Sequence, residues 1–296
     1  MKTVGEALEY SADQLQRADV CFGHGCDNAW DEAVQLVLTV VDLPLDVDDS
    51  VLPHPVTRTQ HRQIDAMLTR RIDERLPLPY VLGRAWFAGL ELRCDERALV
   101  PRSPIAELIH NGFQPWYGGP GPTRVLDLCC GGGAIGLATA HYLPECQVDM
   151  ADISAEALEL AVANCQLLEL GTRVKLFQSD LFSALGGRRY DLILSNPPYV
   201  DSRDLAAMPE EYQHEPGLAL GSGDDGLDLT RKILARAAAH LEPEGLLVVE
   251  VGNSWEALEA AYPDVPFTWL ELEYGGHGVF TLTAKELQQY SASLAQ

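Results

Sequence analysis

The sequence predicts an α/β fold, in which a small helical domain precedes a mostly parallel, seven-stranded sheet. From residue 123 onward, short apolar runs alternate with helical stretches, which is the pattern of a parallel sheet covered on both faces. In residues 4–75 the apolar positions recur at helical spacing instead. With 296 residues, 47% of them hydrophobic and 22% charged, the chain has the length of roughly two domains and a globular composition.

The N-terminal part, residues 1–77, is predicted to be a helical domain. Its apolar residues fall into three runs with the spacing of helices that bury one face. Pro44, Pro53 and Pro55 lie between the runs, where a helix must end because proline lacks the amide donor and clashes with the preceding turn. The apolar positions are Leu8, Ala12 and Leu15; then Ala33, Leu36, Val37 and Val40; then Ile64, Met67, Leu68 and Ile72.

A linker and a β-hairpin over residues 78–100 are predicted to join this domain to a larger one, residues 101–296. The prolines of the segment Leu-Pro-Leu-Pro-Tyr indicate the linker. Aromatic and alternating apolar residues from Trp86 onward indicate the hairpin. Ser103 and Pro104 then predict a new helix, with serine as its cap and proline in its first position.

Seven strands are predicted in the larger domain, with helices in the gaps between the first five. The last two strands are separated only by residues 274–278, too few for a crossover helix, so they must form an antiparallel hairpin. A mostly parallel sheet with this ending differs from an ordinary dinucleotide-binding fold. The predicted strands are residues 124–128, 147–153, 174–179, 191–196, 246–251, 267–273 and 279–283.

The charge of the chain narrows its possible partners. Lysine and arginine total 21 and aspartate and glutamate total 44, which gives a formal net charge of −23. Such a field repels phosphate backbones and anionic lipid surfaces. We therefore predict no nucleic-acid substrate and no membrane association, whereas a basic protein or a small ligand fits this charge. The start of the chain does not resemble a secretory signal, and no stretch approaches the ~20 apolar residues of a membrane span.

The seven cysteines are an odd number and lack the paired spacing of a zinc site. Cys21 and Cys26 flank His24 and offer three metal ligands, but a fourth is missing. We therefore predict reduced thiols, no bound metal and a cytoplasmic location.

Residues 125–136 are predicted to form a strand, a glycine-rich turn and the start of a helix. Two kinds of ligand fit this pattern. Gly131, Gly133 and Gly136 satisfy the nicotinamide-dinucleotide fingerprint, and Asp152 lies where a ribose-binding acid is expected. Alternatively, a carboxylate at the end of the strand faces the ammonium of S-adenosylmethionine, while the glycines let the backbone approach a nucleoside.

Acidic residues favour the second ligand. Asp127, Asp152 and Asp180 each lie at the end of a predicted strand, on the side where open α/β sheets bind ligands. A pyrophosphate prefers bare amide donors, whereas S-adenosylmethionine is a cation without phosphate. Any one of these acids could be a cap or a turn residue. Three at successive strand ends favour a binding site for the cation.

The fourth strand of this series is followed by Asn196, Pro197, Pro198 and Tyr199. Methylating a planar NH₂ group requires acceptors for its N–H groups, because its lone pair is delocalised and it must lose a proton. The Asn196 side-chain oxygen can accept one N–H, and the Pro197 carbonyl, held by the stiff prolines, can accept the other. Both bonds strengthen as the nitrogen becomes positive. Tyr199 offers a face that stacks on the planar group and aligns it.

This motif, together with the glycine loop, resembles the amino-methyltransferases, which act on adenine, cytosine or the side-chain amide of protein glutamines. The helical domain and the hairpin leading to Val100-Pro101-Arg102 resemble the protein-glutamine methyltransferases of the HemK family. Further segments resemble the branch that methylates ribosomal protein L-three; the release-factor branch instead has a proline and acidic residues after the arginine. These segments are Gly23-His24-Gly25, Asp27-Asn28, residues 30–37, residues 100–105 and His214-Glu215-Pro216.

The resemblance implies a class I, Rossmann-like, S-adenosylmethionine-dependent methyltransferase fold and a role for each site residue. The methionine end of the cofactor would lie against Asp127 and the loop Cys129, Cys130, Gly131, Gly132 and Gly133, and Asn196 would border it. Asp152 would bind the ribose hydroxyls, and Asp180 and Leu181 would border the adenine. Asn196, Pro197, Pro198 and Tyr199 would be catalytic and grip the substrate glutamine of ribosomal protein L-three.

Two positions depart from the family pattern. Cys129 replaces the glycine that begins the loop in many relatives, which predicts that the backbone there need not take a positive φ. Leu181 replaces the tryptophan that some relatives place on the adenine. Three further residues are less specific. Phe87 could line the glutamine channel or belong to the core, and His214 and Glu215 could shape the loop over the substrate.

Four other functions are also compatible with the sequence. The same reaction could act on a peptide-chain release factor. A DNA or RNA amino-methyltransferase would need a basic groove or a recognition domain. A catalytically inactive scaffold for ribosome assembly would bind the cofactor without turnover. A dehydrogenase would bind a nicotinamide cofactor instead. The helical domain shows no chemistry of its own and is predicted to dock the substrate.

Overall fold

A computed structural model describes residues 1–273 and 275–295. Three N-terminal helices confirm the first part of the pattern: α1 (Val4–Arg17), α2 (Ala29–Val41) and α3 (Arg58–Asp73). Each begins at a residue whose side chain accepts a hydrogen bond from an amide of the first turn, namely Thr3, Asn28 or Thr57. Their apolar faces meet in one core that continues into the residues up to Val100.

The predicted linker contains a short helix, α4 (Leu78–Leu82), which the sequence reading missed. Proline is compatible with the first helical turn, and Gly83 ends the helix in a left-handed conformation with φ 71°. The predicted hairpin follows as β1 (Arg84–Phe87) and β2 (Leu90–Arg93), paired antiparallel. Helix α5 (Ile105–His110) comes next and begins one residue later than predicted, with Pro104 rather than Ser103 at its N-cap. The Ser103 hydroxyl accepts the Ile105 amide at 3.2 Å.

The larger sheet has seven strands in the order β5-β4-β3-β6-β7-β9-β8. The five strands from β5 to β7 are parallel, and β9 runs antiparallel to both β7 and β8. The predicted sheet and its antiparallel ending are thus confirmed. The strands are β3 (Arg124–Leu128), β4 (Gln147–Asp152), β5 (Val174–Gln178), β6 (Tyr190–Ser195), β7 (Leu241–Glu250), β8 (Thr268–Trp269) and β9 (Val279–Thr283).

Helices cover both faces of this sheet, and each face buries its own apolar core. The helices in the first gaps between strands are α6 (Ala134–Tyr142) and α7 (Ala155–Leu167). After β6 come α8 (Ser202–Ala207) and α9 (Asp228–His240). The remainder are α10 (Trp255–Ala261), α11 (Ala284–Gln289) and α12 (Ser291–Leu294). Among residues 1–273 and 275–295, none of the helices has the length and apolarity needed to cross a membrane.

The prediction of a helix between β5 and β6 was wrong. This gap is made of turns, in which the Ser179 hydroxyl donates to the Leu181 carbonyl and accepts the Ala184 amide. Serine that bonds local backbone groups competes with helix formation. Strand β8 is also shorter than the predicted 267–273, because the chain leaves the sheet after Leu270, whose amide still donates to Val279.

Candidate active site

The carboxyl ends of β3, β4, β5 and β6 lie along one edge of the sheet, because these strands are parallel. The loop after β3 is hydrogen-bonded to the end of β4 at this edge. The Gly131 amide donates to Asp152 Oδ2 at 2.8 Å, and the Ser154 amide donates to Asp152 Oδ1 at 2.9 Å. The Asp152 carboxylate thus joins the end of β4 to the glycine loop.

Asp127 lies beneath this loop and has no exposed surface. Its Oδ2 accepts the Gly136 amide at 2.7 Å, whereas its Oδ1 is buried with no hydrogen-bond partner among the described residues. Burial raises the pKa of Asp127 to about 7, and the nearby Asp152 charge adds to the effect. Asp127 therefore supplies a carboxyl group that a positive ligand nearby would stabilise as the anion.

The backbone prediction for Cys129 was wrong. Cys129 has φ 61°, in the left-handed region that glycine favours, and Gly131 at φ 52° is also left-handed. The chain must turn sharply here, since the Cys130 amide donates to Ala151 and the next amide reaches Asp152. The turn requires positive φ whether or not glycine occupies the position.

A first cavity opens above this loop. Its wall includes most of the predicted cofactor residues, but Asp127 and Gly133 lie behind the wall. The connection between β2 and α5, residues 94–104, covers one side of it. The predicted residues on the wall are Cys129, Cys130, Gly131, Gly132, Asp152, Asp180, Leu181 and Asn196, together with Pro198 and Phe87.

Phe87 is 4% exposed and packs in the main core. It also borders the first cavity. The structure thus places Phe87 in the core and at the edge of this cavity.

The Asn-Pro-Pro-Tyr motif begins where β6 ends. The Ser195 hydroxyl donates to the Leu128 carbonyl at 2.7 Å, which holds the start of the motif against the end of β3. The Tyr199 ring rests on Gly252, where a Cβ atom would lie 2.6 Å from Tyr199 Cε2. Only glycine leaves room for the ring at this position. Asn196 is half-buried, and its side chain has no hydrogen bond within the described part of the chain.

A second cavity lies on the other side of the motif, and Pro197 and Tyr199 face it. The segment after the motif, residues 200–222, forms much of its wall. Asn196 lines both cavities. The motif therefore separates two binding spaces, and its asparagine is accessible from each.

Ion pairs hold residues 200–222 in place. Arg102 donates to both oxygens of Glu215, at 2.8 and 2.6 Å, and the Val100 amide adds a third bond at 2.9 Å. The buried His24 ring lies 3.6 Å from the same carboxylate. Burial raises the pKa of Glu215, but His24 and Arg102 outweigh this effect and lower it to about 2. The expectation that Glu215 shapes this loop agrees with these contacts.

A second carboxylate ties the segment to the helical domain. Glu211 accepts the Cys21 amide at 2.9 Å and lies 3.4 Å from Arg71. Arg71 has no exposed surface and also holds Glu32, at 2.8 and 3.1 Å. Sequence reasoning missed Arg71 and Glu211. The signal for Arg71 is its place on the apolar face of α3, three residues after Leu68.

Comparison with known proteins shows the family of the chain. A family model described as a methyltransferase small domain matches residues 120–210. The ribosomal protein uL3 glutamine methyltransferase of Xanthomonas campestris is 47% identical over 296 residues, covering 100% of this chain and 96% of the relative. The protein of that name from Francisella tularensis is 45% identical, covering 98% and 93%. The chain belongs to this family.

Membership confirms the resemblance to the L-three branch, since uL3 is the same ribosomal protein, and with it the enzyme class and the S-adenosylmethionine cofactor. A solved structure agrees on the fold alone. The hMettl16 catalytic domain, in complex with the MAT2A 3′UTR hairpin 6, has a TM-score of 0.51 and 15% identity, over 77% of this chain and 81% of that chain. The predicted class I fold is thereby confirmed.

Proposed function

We propose that this chain methylates the side-chain amide nitrogen of a glutamine in ribosomal protein uL3, with S-adenosylmethionine in the first cavity and the glutamine in the second. The observation that carries this proposal is the position of Asn196, which lines both cavities. A methyl donor and an acceptor must meet at a shared wall for direct transfer. The family relatives, named for this reaction, support it.

The residues of the first cavity fit the cofactor. The Asp152 oxygens each accept one amide and keep lone pairs for ribose hydroxyls. Ile153, which is 51% exposed, and Leu181 provide apolar surface for adenine on the same wall. Burial raises the pKa of Asp127 to about 7, so positive groups of a ligand above the loop would favour its charged form. When bound, S-adenosylmethionine supplies an electrophilic methyl group on a sulfonium.

The motif orients the glutamine amide. The Asn196 side-chain oxygen, which has no hydrogen-bond partner in the described part of the chain, accepts one amide N–H. The Pro197 carbonyl accepts the other, so the nitrogen is held by two acceptors. Pro198 keeps this backbone rigid, and Tyr199 presents its ring to the amide plane. The amide nitrogen would gain the methyl group as the bond from that carbon to the sulfonium sulfur breaks, which leaves S-adenosylhomocysteine. The nitrogen would then lose one proton to solvent. The acceptors are aimed where positive charge develops, which favours the transition state.

The proposed partner is inferred from the charge of the chain, and the proposed location from its cysteines. A net charge of −23 attracts a basic ribosomal protein during the encounter and disfavours a free nucleic acid as substrate. Seven free cysteines accord with a reducing cytoplasm, where ribosomal proteins are made. The helical domain, which is tied to residues 200–222 through Arg71, is proposed to help dock the substrate.

Replacement of Asn196 tests the proposal. Asn196→Ala should lower methyl transfer to unmethylated uL3 by about 100-fold or more, the loss typical of removing one transition-state hydrogen bond, with cofactor affinity nearly unchanged. The assay follows labelled methyl groups and identifies N5-methylglutamine by mass spectrometry. The exposed Asn111→Ala is the matched control. Normal turnover by Asn196→Ala, or labelling of a release factor in place of uL3 by the unmodified enzyme, would contradict the proposal.

A further inference from the structure

Glu250 is a buried carboxylate at the carboxyl end of β7, and the mechanism above does not use it. It is 5% exposed. The Tyr199 hydroxyl donates to its Oε1 at 2.9 Å, and the Ser103 hydroxyl donates to its Oε2 at 2.6 Å. The sequence carries a signal for it, because a glutamate interrupts the apolar run Leu-Leu-Val-Val-Glu-Val. Buried acids are rare unless their oxygens are satisfied.

The two partners of Glu250 belong to different sides of the active site. Tyr199 lines the second cavity, and Ser103 lines the first. The Ser103 hydroxyl also accepts the amide of Ile105, the first residue of α5, and Ser103 follows Arg102, which lines both cavities and holds Glu215. Glu250 therefore links the aromatic residue of the motif to the connection between β2 and α5.

Geometry shows what Glu250 can do. Both of its oxygens already accept a hydrogen bond from a hydroxyl of this chain, and no described cation pairs with it at salt-bridge distance. Because Glu250 also accepts a hydrogen bond from Ser103, its carboxylate is held in place. The Tyr199 hydroxyl, which donates to that carboxylate, is therefore held as well. The Gly252 contact fixes one face of the same ring. Two restraints, one at the hydroxyl and one at the face, define the plane of the ring.

We propose that Glu250 is a positioning residue, which fixes the Tyr199 ring against the substrate amide and ties it to Ser103. This inference rests on the proposed function, since it assumes that Tyr199 orients the glutamine. Burial raises the pKa of Glu250, while the hydrogen bonds from Ser103 and Tyr199 act against burial. The Ser103 and Tyr199 hydroxyls both donate to the Glu250 carboxylate, and hydrogen bonds to a charged acceptor are stronger than those to a neutral one. Glutamine at this position has the same shape but no charge, so it would hold Tyr199 less firmly.

The test is a set of variants assayed on uL3. Glu250→Gln should lower kcat by about tenfold through loss of alignment, with the KM for S-adenosylmethionine unchanged. Tyr199→Phe should have a similar effect. The double variant should lose about tenfold rather than about 100-fold, because both changes remove the same restraint. Glu244→Gln, at an exposed position of β7, is the matched control.

The outcomes separate this inference from the proposed function. An unmodified enzyme that does not methylate uL3 would overturn the proposed function. Full turnover by Glu250→Gln, independent multiplication of the two losses, or an equal rise in the cofactor KM would overturn the positioning role. If Glu250→Gln does not fold, Ser103→Ala and Tyr199→Phe replace it. Their losses should again be non-additive, and independent losses would contradict the role.

Discussion

The two sides of the active site are built in different ways. On the cofactor side, the bonds that shape the loop join residues close in sequence: Asp152 and Gly131 are 21 positions apart, and Asp127 and Gly136 only nine. On the substrate side, Arg102 and Glu215 are 113 positions apart. The first side is held by backbone amides of one strand–loop–helix unit, and the second by side chains from distant segments.

The two sides also differ in whether their acidic side chains are paired with a cation. On the cofactor side, Asp127 keeps a buried oxygen that has no hydrogen-bond partner among residues 1–273 and 275–295, and Asp180 is exposed. On the substrate side, Glu211 and Glu215 are already paired with arginines. Free carboxylates suit a cationic ligand, whereas paired ones hold a wall in place. Replacement of Arg71, which lines neither cavity, should therefore affect the substrate side and spare the cofactor side, whereas Arg102 lines both cavities.

The largest effect is expected from Arg71→Ala. This change leaves Glu32 buried without its cation, whereas Glu211 keeps Arg75 at 3.3 Å, and breaking a buried pair costs about 3–5 kcal/mol. We expect the free energy of unfolding to fall by that amount and the KM for uL3 to rise. Cofactor affinity, measured by calorimetry on the folded fraction, should stay the same.

The neighbouring Arg70→Ala is the control for Arg71. Arg70 pairs with Glu74 on the surface, with side chains 46% and 56% exposed, so its loss should cost less than about 1 kcal/mol. Should Arg71→Ala not fold, Arg71→Lys keeps the charge but loses the bidentate fork to Glu32. A parallel loss of cofactor affinity in either Arg71 variant would show that the two sides are not independent.

A pH-dependent effect is expected at Glu215. Its pKa is about 2 in the folded chain, against an ordinary value of 4.5. Because the folded pKa is depressed, the stabilisation is complete above pH 4.5 and is lost as the pH falls towards 2. By linkage this stabilisation is about 3 kcal/mol. Glu215→Gln should therefore unfold more easily at pH 7 in urea, and its deficit should shrink between pH 4.5 and 2.

The exposed Glu210→Gln, in the same turn of the chain, controls for loss of one negative charge. Its urea midpoint should follow that of the unmodified protein at every pH. A deficit of Glu215→Gln that is constant from pH 7 to pH 2 would mean that the Arg102 and His24 contacts do not set this ionisation.

The same contrast explains which parts of the site could be predicted from the sequence. The glycine loop, the acids at strand ends and the Asn-Pro-Pro-Tyr motif are local patterns, and the structure brings Asp152, Asp180 and Asn196 to one edge of the sheet. Glu211 and Glu250 were missed, since each acquires its role from a partner more than a hundred positions away or across the sheet. The helix expected after β5 failed because serine contacts there override apolar spacing.

The smallest effect is expected within the cofactor loop, at Cys129. Its left-handed φ of 61° costs a residue with a Cβ about 1–2 kcal/mol. Cys129→Gly removes that cost and adds a smaller loss of backbone entropy, so the free energy of unfolding should rise by up to about 1 kcal/mol. Cys130→Gly is the matched control, because Cys130 is buried and not left-handed, and it should be destabilised. Equal destabilisation of both variants in urea would show that the Cys129 side chain, rather than its backbone, sets the stability of the loop.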